Sequence, residues 1–366
     1  MSKSLKPRHM HVRIADIRRV TNRTMIVRLR WNDGETLTYR PGQFIGLVAE
    51  DGRPRFFSIA NARPDDGEIE LHINRVVDGV FTSALFDKAR LDDPFTLIGP
   101  YGDFSIPLHS PAEIIVVAGG TGFAPVKACL QSLAAERRAG RDPSGGIHLY
   151  WGARTAADLY DLEAVAALTD QLPGLRFIPV VETGPAAEGM RTGWVHRAII
   201  DDFDDLTGHV IYACGAPGLI DAITRDCGAE RGFAATSLIA DVFVSGPPVD
   251  AGAEPPTGES VTLILNGQDG VIAVDGRAGE PLLLALKRAN LPLQAVCGGK
   301  GACGTCRVNI CPSWRDGLPA PTKREARLLQ YLAAGEGDRL SCAIVLSSAL
   351  NGLELQISVE NEGELQ

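Results

Sequence analysis

Three thiols fall within ten residues in Cys297-Gly-Gly-Lys-Gly-Ala-Cys303-Gly-Thr-Cys306, and a fourth, Cys342, follows after thirty-five more in Arg339-Leu-Ser-Cys342. This stretch limits the fold more than any other. Positions 298, 299, 301 and 304 are glycine, which weakens both helix and strand, so the segment reads as a loop wrapped round whatever its sulfurs hold. Four thiolates satisfy a [2Fe–2S] cluster, two per iron. They also satisfy a structural zinc ion. Zinc ribbons use two short-spaced pairs, whereas here three ligands share one loop and the fourth stands alone. The glycines favour the cluster, because its loop must take positive φ and bring amides close to sulfur.

The remaining cysteines, Cys129, Cys214, Cys227 and Cys311, show no disulfide pattern, which points to a reducing, cytoplasmic compartment. No apolar run follows the N-terminus and none reaches the ~18 residues of a membrane span, so neither a secretory signal nor a membrane partner is expected. A net charge of −9 argues against nucleic acid as a partner. A chain of 366 residues has room for two or three domains.

Residues 1–108 hold short β-rich runs (11–17, 24–30, 44–48, 55–59, 69–76, 95–99) separated by turn signals such as Asn32-Asp-Gly34, a pattern that predicts a small antiparallel barrel. Residues 109–246 alternate apolar strands and amphipathic helices, as a doubly wound parallel sheet does. The first strand, 113–118, runs into Gly119-Gly120-Thr121-Gly122 and a helix over 126–139, an arrangement that seats a pyrophosphate on a helix N-terminus. Residues 247–258 are a Pro/Gly-rich linker. Residues 259–366 read as hairpin, helix (280–289), Cys loop and helix (322–331), the order of a β-grasp ferredoxin. Cys311, on the strand after the Cys loop, reads as a packed strand thiol in preference to a spare ligand.

Several of these stretches together resemble the ferredoxin–NAD(P)+ reductase superfamily. Arg55-Phe56-Phe57-Ser58 is similar to its Arg-x-Tyr-Ser signature. The strand Leu71–Val77, whose His72, Ile73 and Asn74 are expected at the flavin cofactor, leads to a turn and a helix over 83–87, in which Gly79, Thr82 and Ser83 match a Gly-x-x-Ser pattern. Cys214-Gly215-Ala216-Pro217 is similar to the family's Cys-Gly-x-Pro loop. The resemblance implies that Arg55 neutralises the flavin phosphate, Phe57 lies on the isoalloxazine and Ser58 reaches its N5. It places Cys214 near the nicotinamide C4, Arg154 on the nucleotide ribose or diphosphate, and Phe243 at the flavin. The cluster ligands are expected at Cys297, Cys303, Cys306 and Cys342. Phe57 stands where the family has tyrosine, which keeps stacking and loses the phenolic hydrogen bond. The first Cys gap holds five residues where the plant-type loop holds four, as in adrenodoxin-type loops.

The implied fold is multidomain: an antiparallel flavin barrel, a doubly wound α/β domain and a C-terminal plant-type [2Fe–2S] ferredoxin. The domain order resembles phthalate dioxygenase reductase and phenylacetyl-CoA epoxidase reductase. FAD is expected over FMN, from the Gly-x-x-Ser-like turn, and NADH over NADPH, with Glu182 after the third strand. The implied role is electron delivery to the terminal component of a multicomponent oxygenase. Another one-electron acceptor protein, and a flavin diaphorase with a structural zinc module, stay open as alternatives.

Overall fold

The computed structural model describes residues 8–357 except 33, 34, 51, 53, 63–66, 77, 78, 111, 112, 144, 244–255, 268, 269, 292, 294, 296, 297, 300, 302 and 333. Cys297 and most of the expected linker therefore lie outside the described residues. The described chain falls in two compact units, within Leu5–Ser245 and within Gly246–Gln366.

The first unit opens with six antiparallel strands: β1 (Arg8–Arg19), β2 (Thr24–Trp31), β3 (Phe44–Val48), β4 (Pro54–Ser58), β5 (Glu68–Asn74) and, after helix α1 (Val80–Lys88), β6 (Pro94–Tyr101). Their order is β4-β3-β6-β1-β2-β5, and an Ile59–Leu71 bridge joins the two ends into a barrel. Alternating side chains fill it. Met10, Val12 and Ile14 of β1 point inward with Met25, Val27 and Leu29 of β2 and Ile69, Leu71 and Ile73 of β5. Helix α1 begins at Val80, three residues earlier than its sequence pattern predicts, so Thr82 and Ser83 belong to its first turn.

The same unit continues through β7 (Ile114–Gly119), α2 (Phe123–Arg138), β8 (Ile147–Ala153), α3 (Leu162–Gln171), β9 (Leu175–Val181), β10 (Arg191–Thr192), α4 (Val195–Asp202), β11 (Val210–Gly215), α5 (Pro217–Ala222), a π-helical turn at Ile223–Cys227, α6 (Gly228–Arg231) and β12 (Leu238–Val242). The sheet is wholly parallel, in the order β10-β9-β8-β7-β11-β12. Both faces are covered, which is why its strands read as unbroken apolar runs. Strand order reverses between β7 and β11, and ligands of such sheets bind at that switch point.

The second unit has β13 (Ser260–Gly267), β14 (Gly270–Arg277), α7 (Leu282–Arg288), β15 (Arg307–Ile310), α8 (Lys323–Tyr331), β16 (Asp338–Leu340) and β17 (Leu353–Ile357). Their order is β14-β13-β17-β15-β16, with only the β13–β17 pair parallel. Helix α7 buries Leu282, Leu283, Ala285 and Leu286 in this sheet's core. Thr322 caps α8 by accepting the Glu325 amide at 3.1 Å.

Candidate cofactor and cluster sites

Two loops meet at the switch point. A Cβ on Gly122 would stand 2.1 Å from the Cys214 carbonyl oxygen, and one on Gly119 would stand 2.8 Å from Leu219. No side chain larger than hydrogen fits at Gly122 against the Cys214–Gly215 backbone. Gly120 differs: its φ is +52° and a Cβ there would meet nothing. Trp151 Nε1 donates to the Gly120 carbonyl at 3.0 Å, and Phe123 stacks on the Trp151 ring at 4.0 Å. The loop that opens α2 is thus fixed from below and open above.

Above it lies a cleft of about 1320 Å³ along the carboxyl ends of the strands. Of the residues expected at the cofactors, Gly119, Gly120, Thr121, Arg154 and Ala216 line it, and Asn74 reaches it from the barrel. Glu182 also lines it, with Asp158 and the half-exposed Trp194, neither of which carries a sequence signal. Asp158 accepts from the Thr155 amide and hydroxyl at 3.1 and 2.7 Å, which orders the turn after Arg154. Cys214 is fully buried in the sheet core beneath the glycine loop. Pro217 starts α5, and the Phe243 amide donates to the Gly215 carbonyl at 2.8 Å, at the same end of the sheet.

On the barrel, Phe57 stacks on Phe81 at 6.1 Å, which brings β4 to the first turn of α1. Arg55 shares the face of Phe57 by strand alternation. Phe56 and Ser58 take the opposite face, where Phe56 lies edge-on to Phe44 and Tyr101 at 5.8 and 6.0 Å. The four-residue motif is therefore divided between two faces. No side chain caps α1, and Gly79 precedes it, tightly packed: a Cβ there would fall 2.8 Å from Val76 and 2.9 Å from the Thr82 hydroxyl. That hydroxyl accepts from the Val76 amide at 3.0 Å, closing the turn. An uncapped helix start suits a phosphate, and Arg55 lies on the face of β4 whose Phe57 meets this turn.

His72 and Ile73 are placed differently from Asn74. Ile73 fills the barrel core. His72 turns toward the parallel sheet, and its two nitrogens are 2.9 Å from Glu70 Oε1 and 2.8 Å from the Tyr160 hydroxyl. Lys127 of α2 donates to Glu70 at 2.7 Å and to Asp161 at 2.8 Å, and Arg28 reaches the other Glu70 oxygen at 3.2 Å. Barrel and sheet are joined here by a buried polar network.

Burial by itself would raise the Glu70 pKa; the His72 hydrogen bond and the Lys127 charge outweigh it and hold the carboxyl well below its ordinary 4.5. Burial lowers the His72 pKa from 6.5, against the pull of Glu70. Both groups therefore take up a proton more readily in the unfolded chain. Their contribution is complete above about pH 6.5, the unfolded histidine value. It falls as acid protonates first the unfolded histidine and then the unfolded glutamate. The first unit is expected to melt several degrees lower at pH 5 than at pH 7.5, followed by calorimetry, and an equal or higher melting temperature at pH 5 would contradict this.

In the second unit Cys306 and Cys342 bring their sulfurs to 3.3 Å. Two ligands about 2.3 Å from one tetrahedral metal stand only slightly farther apart, at about 3.8 Å. Cys303 is buried, with its sulfur 3.0 Å from the Thr305 hydroxyl. Gly298, Gly299, Gly301 and Gly304 all have φ between +63° and +86°, the left-handed conformation expected of a loop folded round a cluster. Sequence gave no sign of what holds Cys342 in place. Arg339 is buried and makes a bidentate pair with Glu325 of α8 at 2.8 and 3.1 Å, and Ser341 donates its hydroxyl to the Cys306 carbonyl at 2.8 Å. Ser341 thus pins the fourth ligand to the third, and Arg339, three residues before Cys342, ties its strand to α8. The closely set thiols and positive-φ glycines fit a cluster, and the cleft over the open glycine loop fits a dinucleotide.

Fold and sites together define a flavin- and nucleotide-binding unit joined to an iron–sulfur unit. Residues 11–106 match the oxidoreductase FAD-binding domain family, 116–225 the oxidoreductase NAD-binding domain family and 265–347 the 2Fe-2S iron-sulfur cluster binding domain family. The chain belongs to the ferredoxin–NAD(P)+ reductase superfamily, with its ferredoxin domain last.

The chain is 34% identical over 220 residues to the CDP-6-deoxy-L-threo-D-glycero-4-hexulose-3-dehydrase reductase of Yersinia pestis, covering 60% of this chain and 64% of that one. It is 33% identical to the reductase component of the naphthalene 1,2-dioxygenase system of Pseudomonas putida, covering 60% and 65%. The chain thus spans just under two thirds of these relatives. Among solved structures, the Amycolatopsis cytochrome P450 reductase GcoB is similar at 30% identity and a TM-score of 0.57, covering 65% of this chain and 71% of that one. An intact type IV self-sufficient cytochrome P450 monooxygenase shares the fold over 95% of this chain and 41% of its own, at 20% identity and a TM-score of 0.65. Among the described residues no helix is long and apolar enough to cross a membrane.

Proposed function

We propose that this protein is an NADH-dependent reductase that passes electrons through FAD and a [2Fe–2S] cluster to the terminal component of a multicomponent oxygenase or a comparable one-electron acceptor protein. When bound, the three groups together turn a two-electron donor into a source of single electrons. The observation that carries the reading is the seating of the glycine loop against Cys214–Gly215 at the switch point, in a chain that also matches a 2Fe-2S cluster binding domain. One of the two named relatives, that of the naphthalene 1,2-dioxygenase system, is the reductase component of such a system.

The chain's own residues divide the work. Arg55 and the uncapped start of α1 offer charge and amides to the flavin phosphates. Phe57 supplies an apolar face to the flavin ring. Gly120 leaves the glycine loop open to the nucleotide diphosphate, and Trp151 keeps its carbonyl turned away from that anion. Glu182 and Asp158 would repel a 2′-phosphate placed beside them and so favour NADH, against the pull of Arg23, Arg154 and Arg225 in the same cleft.

Purified protein is expected to contain about one FAD and two irons per chain, with flavin colour bleached by NADH. Arg55→Ala should lose most of its flavin, since removing the guanidinium leaves the phosphate charge unpaired. Full flavin retention in that variant, measured by absorbance after gel filtration, would move the phosphate site elsewhere.

A further inference from the structure

We propose that His72 is a positioning residue that fixes the nucleotide-binding glycine loop against the flavin barrel, and through it the approach of the two reacting rings. The inference rests on the proposed function, that both ligands bind in this unit.

His72 has no nitrogen left for a ligand. A carboxylate can only accept, so Nε2 carries the proton given to Glu70, and the Tyr160 hydroxyl must donate to Nδ1. The first partner is on its own strand; the second is across the seam. Tyr160 lies edge-on to Trp151 at 5.2 Å, Trp151 donates to the Gly120 carbonyl, and Phe123 stacks on Trp151 while its ring centre is 6.4 Å from that of His72. Every link between β5 and the glycine loop is a ring with two side-chain torsions, which makes a short and stiff connection. Lys127 adds a second tie one turn into α2, between Glu70 of the barrel and Asp161 of the sheet. Donor atoms of Glu70, His72 and Asp161 come within 4.8 Å of one another. The Lys127 ammonium and the Arg28 guanidinium already balance the two carboxylates of that group, so it is a clamp and not a cation site.

The test uses full-length holoprotein carrying His72→Leu, His72→Gln or Tyr160→Phe. Anaerobic stopped-flow bleaching by NADH should show a limiting rate at least about tenfold lower for His72→Leu and about threefold lower for Tyr160→Phe, because small misplacements of reacting groups are costly. Glutamine, which can still donate and accept, should recover part of the loss. FAD content and the NADH concentration for half-saturation should stay near wild type, which a merely distorted cleft would not allow. Without NADH, amide hydrogen exchange should rise over 119–127 and stay unchanged in β13–β17.

Wild-type limiting rates and exchange in both His72→Leu and Tyr160→Phe would overturn the proposal. So would loss of FAD from His72→Leu with a normal rate in the remainder, which makes His72 a flavin ligand. If His72→Leu does not fold, the nearly isosteric Tyr160→Phe decides. Failure of NADH to bleach the wild type would instead sink the functional reading, while the exchange data still report on the tie.

Discussion

Serine in place of Cys306 is expected to remove the cluster and, with it, electron delivery to protein acceptors, while leaving the other unit at work. Cys306 is buried and sits 3.3 Å from the Cys342 sulfur, with its carbonyl held by the Ser341 amide and hydroxyl. A hydroxyl is a harder, less acidic ligand than a thiolate and is poorly matched to iron in a sulfur site. Iron content should fall to near zero. Cytochrome c reduction should drop by about 100-fold if the cluster is the exit, whereas NADH–ferricyanide activity should stay within about twofold, because it needs only the nicotinamide and flavin in contact. The two compact units predict this independence. Retained cytochrome c reduction with no iron bound would mean that electrons leave from the flavin, and the ferredoxin would then be a docking domain.

The second large effect is expected at Gly122. The added Cβ of Gly122→Ala overlaps the Cys214 carbonyl oxygen at 2.1 Å, and both loops are backbone with little freedom to give way. Forcing such a contact costs about 3 kcal/mol, at the upper end of overpacking penalties. In a unit of this size that lowers the melting temperature by about 10 °C. The loops can separate only by shifting the start of α2 or the Cys214–Pro217 turn, so NADH-driven flavin bleaching should fall with stability. Calorimetry would show one transition moved and the ferredoxin transition in place. Gly120→Ala is the control for space: it meets nothing, and its cost comes from the +52° φ. If Gly122→Ala melts like wild type, the close seating of the two loops is wrong.

Local chemistry made several parts readable from sequence. The Cys loop announced itself because ligand spacing and glycine conformational freedom are properties of a few consecutive residues. The parallel strands announced themselves because burial on both faces removes polar residues from the whole run. Thr24–Trp31, Phe44–Val48 and Leu175–Val181 begin where β-rich composition begins. Tertiary packing decided the rest. Sequence grouped Arg55, Phe56, Phe57 and Ser58 as one site; the pleat of β4 divides them between faces. It grouped His72, Ile73 and Asn74 on the flavin, yet one faces the sheet, one the core and one the cleft. Glu70, Lys127, Tyr160 and Asp161 carried no local signal, since charges far apart in sequence look like solvated surface until the fold buries them together. The same holds for Glu325 and Arg339, which fix Cys342 from 14 residues apart. Motifs report what a segment must touch; which neighbours reach it is set by chain crossings that no short window contains.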